Sequence, residues 1–167
     1  MEDTADNTLS MQVLACITAL PRHTARTYMN LLHPKDFHSP LYGRIFEALT
    51  NITMPDTPSP SAVVLQVNAW LLEQGDYKNQ DTSIRHLVAE LTGQQVCTAL
   101  LPLLAKELVE AAYRRAIAAY GEALTERAHS SPLADVAATI DKVAKAKGLL
   151  TERLTAFELA SVGQVAA

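Results

Sequence analysis

The chain has 167 residues, of which 49% are hydrophobic, 19% charged and 5% aromatic, and its formal net charge is −4. This length allows one ordinary domain, or a small lobe with an extended appendage, and the apolar content is sufficient for a core. The negative charge argues against nonspecific binding of duplex DNA by the whole surface, because neutralising phosphates requires clustered lysine and arginine. Abundant alanine and leucine with only six glycines favour an all-α fold.

The ends of the chain and its cysteines indicate a cellular compartment. Cys16 and Cys97 lie far apart and match no metal-ligand spacing, which is typical of reduced thiols in a cytoplasmic protein. The first residues are acidic, unlike those of a signal peptide. No apolar run approaches the roughly 18 residues that a membrane span requires. We therefore expect a cytoplasmic protein without a membrane partner.

The pattern of the first hundred residues predicts a leader followed by a helical lobe. Residues 1–8 are expected to form a disordered leader. The lobe, residues 9–100, is expected to contain four to five helices, placed near residues 9–20, 25–32, 41–52, 61–73 and 84–91. The residues assigned to inner faces are Leu9, Val13, Cys16, Ile17 and Leu20 in the first helix, Leu41, Ile45, Phe46 and Leu49 in the third, and Val64, Leu65, Trp70 and Leu71 in the fourth.

Prolines and glycines mark the boundaries of these helices. Ser39 followed by Pro40 is typical of a helix start, and the turn before it carries Phe37 as its aromatic anchor. Three prolines within residues 54–60 exclude continuous helix there. We interpret that segment as a surface loop of the lobe in preference to a domain boundary. Gly75 is the expected end of the fourth helix, followed by a polar loop at residues 76–81.

Residues 101–150 predict a long antiparallel helical hairpin that turns at residues 129–132. Apolar residues recur there at steps of three and four, which places each set on one helical face. Ser131 is the expected cap of the second helix, Pro132 its first residue and Gly148 its end. The first helix would be roughly 40 Å long, more than a small lobe covers.

The excess length of the hairpin predicts that part of its apolar seam meets another chain. We assign a protein interface to eight apolar and aromatic residues of the hairpin: Tyr113, Ile117, Tyr120, Leu124, Leu133, Val136, Ile140 and Val143. Residues 151–167 are interpreted as a linker or tail.

The sequence contains no motif that indicates catalysis. It has no glycine-rich phosphate-binding loop and no dinucleotide fingerprint. His33 and His38 flank Phe37 on a proline-broken turn that offers too few further metal ligands. No hydroxyl or thiol has a neighbouring base and acid. We therefore assign no catalytic, cofactor-binding or metal-binding residue.

A local basic enrichment on the hairpin has two interpretations. It consists of Arg114, Arg115, Lys142 and Lys145. Acidic residues interleave with the two arginines, which is typical of a solvated, ion-paired helix surface. The alternative is a contact with nucleic acid, which would depend on salt concentration. A further alternative function is a small-molecule enzyme, whose signature would be a polar pocket with perturbed titrating groups between lobe and hairpin.

The ordered set of motifs resembles the N-terminal domain of DnaB-type replicative DNA helicases. The likeness extends over roughly residues 9–150. Seven motifs carry it, which are, in chain order, Val13-Leu14, Leu32-x-Pro34-x-Asp36-Phe37, Pro40-Leu41-Tyr42-x-x-Ile45-Phe46-x-Ala48, Leu72-Glu73-Gln74-Gly75, Leu87-x-x-x-Leu91, Tyr113-Arg114-Arg115 and Ala128-x-x-x-Pro132-Leu133-x-Asp135-Val136. Two departures are Met11-Gln12, where the family has acidic residues, and Asp81-Thr82-Ser83, where it has two glycines.

The resemblance implies a helical lobe and hairpin that act in assembly. In the family these domains pair through their hairpins, form a collar on a hexameric helicase, and dock primase or a helicase loader. The resemblance thus implies homo-dimers or hexamers, DNA as an indirect partner, and no cofactor in this segment. ATP and magnesium would belong to a separate C-terminal motor domain, so that the parent protein would be an ATP-dependent helicase.

Overall fold

The computed structural model describes residues 2–77 and 83–165, and in this part of the chain it contains helices and turns without a strand. Five helices form the lobe and two long helices form the hairpin, which confirms the predicted all-α class and its architecture. The helices are α1 (Glu2–Thr18), α2 (Arg22–Leu31), α3 (Pro40–Asn51), α4 (Pro60–Gln74), α5 (Ser83–Gly93), α6 (Leu101–Ser130) and α7 (Leu133–Val165), with short 3₁₀ turns at Pro34–Asp36 and Thr98–Leu100.

The core of the lobe is organised around α1. This helix contacts α2, α3, α4, α5 and α6, and every residue from Val13 to Thr18 is buried. A helix that is apolar on all sides is expected at the centre of a helical domain. Leu9, which was assigned to its inner face, is only half-buried.

The proline-pinned turn between α2 and α3 is anchored as predicted. Phe37 is buried, and its ring centroid lies 5.2 Å from that of Phe46 on α3. The Ser39 hydroxyl accepts a hydrogen bond from the backbone N–H of Leu41 at 3.3 Å, and Pro40 is the first residue of α3. Both the anchor and the helix start are therefore confirmed.

The Pro-rich loop before α4 is pinned to α2. Arg22 donates from Nε to the carbonyl of Met54 at 2.6 Å, and Met54 is buried. Gly75 ends α4 in the left-handed conformation, with φ 82°, as expected for a helix terminator. Asp76 and Tyr77 continue this turn. The rest of the predicted polar loop lies outside the described residues.

One helix face was predicted wrongly. Leu65 is 71% exposed instead of buried, because α4 is apolar on both sides and its composition gives no indication of which side faces the core. Trp70, assigned to the same face, is half-buried, and the Arg44 guanidinium lies 4.5 Å from its ring centroid.

Both ends of the chain are more helical than predicted. The leader expectation is wrong for the described residues, because α1 begins at Glu2 and Asp6 pairs with Arg115 of α6. The expected linker after residue 150 is also wrong. Helix α7 continues through Gly148 to Val165, and Phe157 is only 1% exposed. Contacts with the lobe thus outweigh the roughly 1 kcal/mol that a glycine costs within a helix.

The hairpin turn lies where it was predicted, with a small shift of its second helix. Helix α6 ends at Ser130 and α7 begins at Leu133, one residue after the predicted start. The carbonyl of Pro132 accepts hydrogen bonds from the N–H groups of Asp135 at 3.0 Å and Val136 at 3.4 Å. Pro132 therefore precedes α7 and supplies its first carbonyl acceptor.

Candidate functional site

The base of the hairpin belongs to the core, whereas its tip extends away from the lobe. Four residues near the start of α6 are buried: Leu101, Ala105, Leu108 and Val109. After Val109 no residue of α6 is buried, and the only buried side chains described on α7 are Thr139 and Phe157. A layer of two helices lets each side chain pack against a single neighbouring helix, so most apolar residues of the tip stay partly accessible.

A buried ion pair fastens α7 to the lobe. The Asp36 carboxylate, whose side chain is 6% exposed, accepts hydrogen bonds from both terminal nitrogens of Arg153. It also accepts one from the backbone N–H of His33 at 2.7 Å. Arg153 in turn donates to the carbonyl of Leu31 at the end of α2. One guanidinium thereby joins α7 to α2 and to the turn that follows it.

A second arginine fastens α6 to the same region. Arg115 donates to the Asp6 carboxylate at 2.6 Å and to the backbone carbonyl of Asp36 at 2.6 Å. Lys106 of α6 pairs with Glu158 of α7 at 2.9 Å, and this hydrogen bond raises the pKa of the lysine. The two arms of the hairpin are therefore held to the lobe and to each other at their base.

The turn end of the hairpin has a polar link of its own. Arg127 of α6 donates to the Thr139 hydroxyl at 2.8 Å, and that hydroxyl donates to the carbonyl of Asp135 at 2.9 Å. Thr139 is 3% exposed. This contact sets the register of the two helices, which fixes which apolar residues of the tip face outward.

Of the eight residues predicted to form a protein interface, Tyr113 lies near the base, in the cleft where the hairpin leaves the lobe, and the other seven lie on the tip; none of the eight is buried. The exposed fractions are 83% for Leu133, 52% for Ile140 and 37% for Ile117. The other five, Tyr113, Tyr120, Leu124, Val136 and Val143, are half-buried. The tip therefore presents large apolar side chains to solvent from both helices.

The four basic residues considered for a nucleic-acid contact have different surroundings. Arg115 is held by the internal bonds described above. The Arg114 side chain is 80% exposed and lies 3.8 Å from Glu110 on the same helix. Lys142 and Lys145 are exposed on α7. Three of the four predicted cations thus point into solvent, and the fourth positions the hairpin.

A small apolar cleft of about 240 Å³ lies where the hairpin leaves the lobe. Its lining includes Tyr113, Leu149 and the Asp36–Arg153 pair, so two of its charged groups already neutralise each other. Among the described residues no group of three or more potential metal ligands is present. Helices Ser83–Gly93 and Thr98–Ser130 reach the length and apolar content of a membrane span only together, across a bend of 114°, and no single described helix does so.

The residues of the anchor were not identified from the sequence. Asp6 and Arg115 are 109 positions apart, and Asp36 and Arg153 are 117 apart. No local spacing links such pairs, although an aspartate at a proline-pinned turn is a weak signal of a structural role. The chain has no significant match to a protein-family model, a curated protein or a solved structure.

Proposed function

We propose that this protein is a non-catalytic assembly module that pairs with a second copy of itself through the tip of its hairpin. One observation carries the proposal: both hairpin helices leave large apolar side chains, Ile117, Leu133 and Ile140, in solvent beyond the part that the lobe covers. Exposed apolar patches of this kind usually mark interfaces.

Burial of the apolar side chains of the tip favours a dimer. Fully burying one large aliphatic side chain is worth about 1.5–3 kcal/mol. Burial of Leu133 and Ile140 would each contribute a large part of that free energy. Each half-buried residue would contribute a smaller part. Two hairpins packed face to face form a four-helix layer in which the outward residues of each copy find a partner. The base network limits the motion of the arms and so lowers the entropic cost of pairing.

The more specific proposal is that this module acts in the collar of a DnaB-type replicative helicase. The motifs behind that resemblance lie on the expected elements: Asp36-Phe37 in the turn before α3, Gly75 at the end of α4, Tyr113 on α6 and Pro132 in the hairpin turn. In this role the module docks primase or a loader and meets DNA only indirectly. ATP and magnesium chemistry belongs to a separate motor domain.

The pairing is tested with a charge on the seam of the hairpin. Ile140→Glu or Ile117→Glu should shift the protein from dimer to monomer in sedimentation velocity while its circular dichroism stays helical, because burying an unpaired carboxylate costs more than the contact it replaces. Leu159→Glu, a change at a leucine that is 69% exposed outside the tip, is the control and should leave the dimer intact. A wild-type protein that is monomeric at high micromolar concentration would overturn the proposal.

A further inference from the structure

Two cysteines that lie far apart in the sequence meet where the lobe joins the hairpin. Cys16 is in the central helix α1 and only 1% exposed, whereas Cys97 is exposed in the segment between α5 and α6. The Cys16 thiol donates a hydrogen bond to the backbone carbonyl of Cys97, with 3.8 Å between sulfur and oxygen. The fold thereby brings together two cysteines that are 81 positions apart.

This contact leaves the two residues within reach of a disulfide. With standard bond lengths, a sulfur–oxygen distance of 3.8 Å keeps the two Cα atoms at most about 9 Å apart. A disulfide needs a Cα separation of about 4.4–6.8 Å, so an approach of about 2 Å is the most that the pair requires. Residues 94–97 are not helical, and Gln94 and Gln95 are exposed. The segment can therefore supply this approach without breaking a helix.

The two thiols differ in their access to reagents, and this difference gives them different roles. Cys97 is exposed, so an oxidant in solution reaches it directly. Burial, with a smaller contribution from Cys97, raises the pKa of Cys16 to about 11. Because the thiolate is the attacking species, Cys16 reacts slowly with reagents in solution. It reacts efficiently only with a sulfur that the fold holds beside it.

From this arrangement we infer that Cys97 and Cys16 form a reversible disulfide when the protein meets a small disulfide oxidant such as oxidised glutathione. The Cys97 thiolate attacks one sulfur of the oxidant, which expels one glutathione thiolate and leaves a mixed disulfide on Cys97. The Cys16 thiol loses its proton to solvent, and its thiolate attacks the Cys97 sulfur and expels the second glutathione. The two cysteine thiols lose two electrons and two protons in total, and the oxidant becomes two molecules of reduced glutathione.

The disulfide would join the centre of the lobe to the start of the hairpin. It closes a loop that contains α2, α3, α4 and α5, and it fixes the segment before Leu101, the first residue of α6. A cross-link that closes so long a loop restricts the unfolded chain strongly. The oxidised lobe should therefore resist unfolding more than the reduced lobe. The inference concerns the lobe alone and does not depend on pairing through the hairpin tip.

The first test follows the thiols of the folded protein by mass spectrometry, at low protein concentration in oxidised glutathione. The wild type should lose two hydrogens and retain no glutathione, and peptide mapping should locate the disulfide between Cys16 and Cys97. Cys16→Ala should stop at a single glutathione adduct on Cys97, and Cys97→Ser should keep Cys16 as a free thiol. A wild type that stops at the adduct, or that forms only dimers linked through Cys97, overturns the inference.

The second test asks whether the fold itself favours the bond. The ratio of disulfide to dithiol is measured in glutathione redox buffers, once for the folded protein and once for the protein unfolded in urea. The folded state should favour the disulfide at least about 10-fold more, because the fold holds the two cysteines together. Oxidation should then raise the urea midpoint of the wild type, whereas the same treatment should leave the midpoint of Cys97→Ser unchanged. An equal or lower ratio in the folded protein would show that the fold does not favour the bond, and the inference fails.

Discussion

Replacing Asp36 with alanine tests whether the hairpin is fastened to the lobe by the buried ion pair. Removing one partner of such a pair costs about 3–5 kcal/mol, because the other charge is left without compensation. The Arg153 side chain is 24% exposed and keeps its bonds to the Leu31 carbonyl. We therefore expect Asp36→Ala to lower the free energy of unfolding by about 3 kcal/mol, the lower end of that range. The change also removes the hydrogen bond from the His33 N–H.

The assay is urea unfolding followed by circular dichroism. Asp56→Ala is the matched control, since that carboxylate is 83% exposed and lies 3.4 Å from Arg22; an exposed pair is worth about 0–1 kcal/mol. A double-mutant cycle with Arg153→Met should give a coupling energy of about 1–3 kcal/mol. If Asp36→Ala costs no more than the control, the ion pair does not hold α7 in place and the reasoning is refuted.

Three further predictions concern stability. Phe37→Ala should cost about 3–5 kcal/mol in the same unfolding assay, because the ring is buried; an unchanged midpoint would mean that the turn is not anchored. Gly43→Ala should destabilise by about 1–3 kcal/mol, since a Cβ there would lie 2.6 Å from the Pro34 carbonyl oxygen. Gly121→Ala, whose Cβ would meet nothing within 4 Å, should stabilise the protein by about 0.5–1 kcal/mol. Equal effects of the two glycine substitutions on the free energy of unfolding would contradict this difference. Burial, with a smaller contribution from a neighbouring thiol, raises the pKa of Cys16 from 9.0 to about 11. The folded protein thus keeps a proton that the unfolded chain loses, so the free energy of unfolding falls as the pH rises from about 9 to 11, by at most about 2.7 kcal/mol. Cys16→Ala should lack this part of the decline, and an identical pH profile would show that the thiol does not titrate as stated.

The elements of the fold could be predicted because their signals are local. Pro40 after Ser39, Gly75 after an apolar run and the polar turn before Pro132 each mark a helix boundary within a few residues. The anchor of the hairpin could not be predicted in this way. Arg153 is paired with a carboxylate 117 positions earlier, and only the folded chain brings the two together.

Two errors have a shared physical cause. The local sequence of each helix predicts a helix end at Gly148 and a core position for Leu65, and neither prediction includes the neighbouring helices. The continuation of α7 beyond Gly148 is decided by the lobe contacts of Arg153 and Phe157, which hold the helix together past the glycine. The exposure of Leu65 is decided by α5, α3 and α1, which pack against one apolar face of α4 and leave the other outside. In both cases tertiary packing overrides a local preference.

Hydrogen–deuterium exchange at low and high protein concentration tests hairpin pairing most directly, because it locates the surface that association protects. Pairing through the tip predicts that amides within residues 113–143 exchange more slowly at high concentration. Residues at the base of α6, such as Leu108, are already buried and should change little. An assembled protein whose tip amides exchange at the same rate at both concentrations would contradict the account.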